Sequence, residues 1–137
     1  MQIYAPVVLR LGLAFLFLWF GISQMTNPTE WLSWLPAWTS ALSIAPTTIV
    51  FLNGGFETVL GALLAIGFLT RWVAALLAVH LLVIAYEIGY NDIGIRDFSL
   101  AIATTAVALF GADDYSIDAW RKTGLLRTSV SSGTKGL

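Results

Sequence analysis

A chain of 137 residues is one domain by length, and 58% hydrophobic residues, 11% charged residues and a mean hydropathy of +0.81 take it out of the soluble class. So short a chain has too little interior to hide that much apolar surface from water, whereas a bilayer accepts it. A net charge of −1 leaves no basic face to track nucleic acid, and the lack of cysteine excludes disulfides, thiol chemistry, cysteine-ligated iron–sulfur clusters and c-type haem attachment.

Four apolar segments of spanning length follow one another, over about residues 3–25, 46–69, 72–90 and 93–111. Each gives roughly 19–24 residues, enough to cross a hydrocarbon core at about 1.5 Å per residue. No strand alternation competes with helix. Leu11 to Ile22, with a weak small-residue site at Gly21-Ile22-Ser23, resembles a secretory h-region, but Arg10 abuts the apolar run, so the segment reads as a helix that stays. The expectation is an all-α integral membrane four-helix bundle over residues 1–122. Residues 123–137, rich in Ser, Thr and Gly without apolar periodicity, read as a disordered polar tail.

Between the first two spans, Asn27-Pro28-Thr29-Glu30 carries a helix-start signature, with Pro at the first position and Glu at the third. Trp31, Trp34, Leu35, Trp38 and Leu42 then recur at helical spacing. This predicts a short amphipathic interfacial helix over about 28–44, bent at Pro36. Its tryptophans serve either as an interfacial belt or as a lid over a crevice for an amphiphile. Asn91-Asp92-Ile93-Gly94 predicts a tight turn between the third and fourth spans. Six of the seven basic residues fall on or towards the side that holds both termini, and only Arg96 on the other. That bias predicts cytoplasmic termini in an inner membrane.

The centre of interest is Asn53 to Arg71, an apolar stretch with Glu57 inside it and Gly54, Gly55, Gly61 and Gly67 around it. A carboxylate in hydrocarbon is costly, so Glu57 is either protonated or answered by a partner within the bundle. Counting helix rise from the cytoplasmic edge puts Arg10 about 10 Å deep, His80 about 12 Å and Glu57 about 20 Å. These three are the candidates for a buried inner group, with Arg10 and Glu57 expected to pair. A second, outer group comprises Glu87, Asn91, Arg96 and Asp97, with Asn53 and Gln24 in reach. There a structural ion pair between Glu87 and Arg96 is expected, beside Asp97. His80 fits a packed histidine, a proton relay or an axial ligand. One histidine with scattered carboxylates has no metal-ligand spacing.

At these residues the sequence resembles the DoxX family of small membrane proteins. Arg10-Leu11-Gly12 with Gly21-Ile22-Ser23-Gln24-Met25, Gly54-x-x-Glu57-x-x-x-Gly61, Gly67-x-x-Thr70-Arg71, and Gly111 through Tyr115-Ser116-Ile117-Asp118 carry the likeness, in order, over about residues 6–120. Gln24 stands where the family pattern has lysine. The resemblance implies a four-helix bundle with cytoplasmic termini, and a link to quinone-dependent membrane oxidoreductase complexes. Three functions follow as expectations. The first is an accessory oxidoreductase subunit in contact with the quinone pool, with a bound quinone as its only cofactor and Glu57, Arg10, Asn53, Trp34 and Trp38 as ligand-binding residues. The second is a scaffold subunit beside other subunits or further copies of itself. The third is an oligomeric carrier for a small solute or a proton.

Overall fold

The structure, a computed structural model, describes residues 3–123. Residues 124–137, all but the first of the expected polar tail, lie outside them. The element order is α1 (Tyr4–Thr26), two 3-10 helices (Pro28–Trp34 and Ala37–Ala41), α2 (Pro46–Ile66), α3 (Thr70–Ile88) and α4 (Asp92–Phe110), with residues 117–123 again helical. All four α-helices are long and apolar enough to cross a bilayer. Their outward faces carry large apolar side chains such as Val8, Phe15, Trp19, Val59 and Leu109. Such a surface suits lipid and not water, and the chain is a multi-pass membrane protein.

Lipid tails are as apolar as leucine, so association of these helices rests on close packing and on interhelical hydrogen bonds. Glycine supplies the first. Gly21 on α1 and Gly54 on α2 face each other so closely that a Cβ on Gly21 would lie 2.7 Å from the Gly54 carbonyl oxygen. A Cβ on Gly61 would meet Phe17 Cβ at 3.1 Å. The α1–α2 pair therefore packs almost backbone to backbone, and α3 pairs as extensively with α4. The two hairpins touch each other far less. Leu13, Ala14, Phe17, Leu64, Val73, Leu77 and Val107 fill the core where they meet.

Helix ends explain how the hairpins are joined. Gly67, at φ 69°, ends α2 in the left-handed conformation that glycine adopts freely, and Phe68 N–H returns to Leu63 O at 3.0 Å. α3 begins three residues later, at Thr70, without a local cap. Asp118, from the far end of the chain, caps it instead by accepting from Leu69 N, Thr70 N and Thr70 Oγ1 at 2.8–3.0 Å. Those bonds also hold Leu69 at φ 48°, which is costly for a non-glycine residue. Burial pushes the Asp118 carboxyl upward, but the hydrogen bonds from Thr70 and Leu69, helped by Arg121, outweigh it and hold the group below its ordinary 3.8. At the opposite end, Asn91 Oδ1 accepts from Ile93 N and Gly94 N at 3.0 and 3.1 Å and starts α4.

The loop between α1 and α2 departs from expectation. It forms two 3-10 helices and not one amphipathic α-helix, because the residue before a proline is driven out of the helical region. Leu35 accordingly sits at φ −68°, ψ 134°, and Pro36 has no N–H to continue a ladder. Pro28 takes the first helical position as expected, but the Asn27 side chain makes no capping bond.

Candidate functional site

The polar groups regroup relative to the sequence reading. Arg10 and Glu57 do not pair. Arg10 is buried at the end of the bundle that carries the termini. Its Nε donates to Asp113 Oδ2 at 2.6 Å and its Nη2 to Asp113 Oδ1 at 3.3 Å. Its Nη1 donates to Leu64 O at 2.8 Å and to Ala65 O. Those carbonyls belong to the last turn of α2, where Leu64 O has only the Gly67 N–H at 3.1 Å and Ala65 O has no backbone donor among the described residues, and where the negative end of the helix dipole lies. Glu57 lies roughly 11 Å further along the helix, out of reach of an arginine so engaged.

Glu57 is only 4% exposed, and its partners come from three helices. Gln24 Nε2 on α1 donates to Oε2 at 2.9 Å. Asn53 Nδ2, one turn earlier on α2, lies 3.2 Å from Oε1 and donates also to Gln24 Oε1 at 2.7 Å. His80 Nε2 on α3 meets Oε1 at 3.0 Å, and Phe56 packs against the imidazole with ring centroids 5.0 Å apart. Counted from the observed α2–α3 junction, Glu57 and His80 lie about 14 and 15 Å along their helices, so their heights match. No buried polar side-chain atom among the described residues lacks a partner. Gln24 is thus the residue that ties α1 to the carboxylate.

This network lies in the wall of a cavity of about 440 Å³ between the two hairpins. Leu16, Phe17, Phe20, Ile49, Val50 and Ile84 supply much of its apolar lining. The 3-10 segments fold across it with Trp31, Trp34 and Trp38. Trp31 Nε1 donates to Ser23 Oγ at 3.3 Å, and Trp38 Nε1 to Glu87 Oε1 at 3.2 Å, so the loop is tied to both hairpins. Three carboxylates, Glu57, Glu87 and Asp97, face the cavity with Arg96 and His80. Glu87 and Arg96 do not form the expected pair. Arg96 bonds Asp97 at 2.9 Å and sits 5.7 Å over the Phe20 ring. Asp97 is the more deeply buried acid, so it gains more from a cation than the exposed Glu87 does.

Of the candidate ligand residues, Glu57, Asn53, Trp34 and Trp38 line one cavity, together with His80, while Arg10 lies outside it. Gly21, Gly61 and Gly67 are packing positions. Arg71, Ser116 and Asp118 belong to the opposite end, where Gly111 abuts Arg71 and Gly67 abuts Ser116. Asp113 was not singled out as a partner by sequence. Its one signal was its place in the polar run that follows the last span. Among the described residues no three His, Asp or Glu side chains gather as a metal site needs.

The sequence model of the DoxX family matches residues 5–89. That range holds α1 through α3, and with them Gln24, Asn53, Glu57 and His80, but not α4, Asp113 or the Gly111–Asp118 element. No curated protein and no solved structure matches the chain.

Proposed function

The chain belongs to the DoxX family, and from that premise we propose that it serves as an accessory subunit of a quinone-linked membrane oxidoreductase. In this reading the cleft between its hairpins receives a quinone. The observation that carries the proposal is a carboxylate–imidazole pair set into the wall of an apolar, tryptophan-covered cavity. A quinone site needs an apolar slot for ring and tail and a group that exchanges protons with the ring oxygens. The cavity residues fit that demand. A bound quinone supplies two-electron, two-proton chemistry at its carbonyls. His80, the more exposed member of the pair, lines the cavity and is the group that would pass a proton to or from the ring oxygens. Glu57 holds the imidazole in orientation, and Gln24 and Asn53 hold Glu57. The tryptophan loop covers the ring and keeps bulk water away. Electrons come from a partner subunit. The excess of basic residues beside the termini supports an inner-membrane protein with cytoplasmic ends, which opens the cavity towards the outer leaflet.

A carrier running through both polar groups is the weaker reading. Leu13, Phe17, Val73 and Leu77 fill the space between the Arg10–Asp113 clamp and the Glu57 network. A scaffold built on small-residue faces loses its support as well, since Gly21, Gly54 and Gly61 are used inside the α1–α2 hairpin. The test is purification from native membranes with identification of the bound lipids and partner chains. Co-purifying quinone and a redox subunit are expected, with Glu57→Gln impairing turnover of the assembly. Full turnover with Glu57→Gln would overturn the proposal. So would recovery of an organic cation in place of a quinone, since three wall carboxylates would suit that ligand.

A further inference from the structure

Five basic side chains occur among the described residues. Arg10 and Arg96 have buried carboxylate partners. The other three, Arg71, Arg121 and Lys122, form no salt bridge among the described residues, and all three line one pocket of about 280 Å³ at the end of the bundle that carries the termini. Asp118 is the single acid in the pocket wall, and its oxygens already accept three hydrogen bonds at the start of α3. Three cations therefore converge where the local negative charge is already engaged. Arg71 is fixed in place by its packing against Gly111, and Arg121 by its seat 5.6 Å over the Phe68 ring. The rest of the pocket wall is apolar, and of it Leu69 and Trp72 are exposed, Trp72 to 74%. Tryptophans beside basic groups at helix ends mark the depth at which lipid head groups lie.

We propose that this pocket binds the phosphate-bearing head group of an anionic phospholipid in the leaflet on the termini side. The guanidiniums of Arg71 and Arg121 suit the phosphodiester oxygens through paired N–H donors, and Lys122 adds a point charge. The acyl chains lie along Leu69 and Trp72. A free phosphate ester would satisfy the cations but would leave that apolar rim without a role. The site is separate from the quinone cavity and stands or falls independently of it.

Native mass spectrometry of the full chain in detergent tests this, titrating phosphatidylglycerol, phosphatidylcholine and, as the free ester, glycerol phosphate. Phosphatidylglycerol is expected to bind selectively. Lys122→Gln should weaken it roughly fivefold and Arg121→Gln/Lys122→Gln roughly 25-fold, from the usual contribution of a basic residue at an anionic membrane surface. Circular dichroism checks that each variant keeps its helices, and Lys122→Gln alone decides the matter if the double variant does not. Equal retention of phosphatidylcholine, unchanged affinity in the variants, or glycerol phosphate binding as tightly as the lipid would each overturn the proposal.

Discussion

Arg10 is the residue whose removal most directly tests how the two hairpins are held. Arg10→Met keeps an unbranched chain but deletes the guanidinium, leaving the Asp113 carboxylate, 3% exposed, without its cation. An uncompensated buried charge costs about 3–5 kcal/mol. The Ala65 carbonyl loses its donor as well, at about 1–3 kcal/mol if water cannot reach it, whereas Leu64 O keeps the Gly67 N–H. Asp113→Leu in the same background removes the stranded charge and should recover most of the first cost but none of the second. The predicted double-mutant cycle therefore shows a coupling energy of about 2–4 kcal/mol between the two positions. Reversible unfolding in mixed detergent–dodecyl sulfate micelles, followed by circular dichroism, measures all four corners. Single-variant losses below about 1 kcal/mol, or losses that simply add, would mean that Arg10 and Asp113 behave as a solvated surface pair and do not hold the hairpins together.

The glycine contacts make a sharp contrast. Gly21→Ala drives a Cβ into Thr58 and the Gly54 carbonyl and should cost about 1–3 kcal/mol, whereas Gly55→Ala, with nothing within 4 Å, should be neutral or stabilising in the same unfolding assay. Asp118→Asn should cost about 0.5–2 kcal/mol as a lost helix cap. Because the folded carboxyl lies below its ordinary 3.8, its contribution is fully present above that pH and fades as pH falls through the lower, folded value. The wild-type protein should accordingly lose its advantage over Asp118→Asn on acidification from neutral pH; an advantage independent of pH would contradict the capping role. Trp38→Phe removes the bond from the loop to Glu87, an interaction of about 0.5–1.5 kcal/mol, so amide exchange over residues 36–42 should rise roughly two- to tenfold.

The helices were legible because their cause is local. Apolar runs of spanning length bounded by Pro46, Gly67, Gly89 and Gly111 mark where each helix starts or stops. Glu57 was legible as the critical residue for the same reason, since one acid in an apolar stretch demands an answer. Its partners were only partly so. Depth along the helices groups His80 with it, whereas Gln24 and Asn53, at the outer helix ends, read as part of a separate group. With Gly67 ending the helix at Ile66, Glu57 drops to the height of His80, but Asn53 moves with it, and Gln24 is brought to the carboxylate by the close α1–α2 packing at Gly21 and Gly54, on which helix rise carries no information. The Arg10–Asp113 pair spans 103 positions of sequence. Composition, periodicity and local spacing carry no information on such a contact, which depends on where the chain returns after α4. The break at Pro36 is legible in the loop, but tryptophans at helical spacing do not distinguish one bent α-helix from the two 3-10 helices observed.

Quinone binding in the cleft between the hairpins, through the Glu57–His80 pair, can be read from the tryptophans that cover it. Tryptophan quenching by a short-chain quinone, with the protein in nanodiscs and Trp19, Trp72 and Trp120 replaced by phenylalanine, reports on Trp31, Trp34 and Trp38 alone. Saturable quenching is predicted, with Glu57→Gln and His80→Phe each weakening binding roughly 10- to 100-fold through loss of a charge-assisted hydrogen bond. Quenching that rises linearly with quinone and is the same in all three proteins would mean simple partitioning into lipid, and would contradict the account.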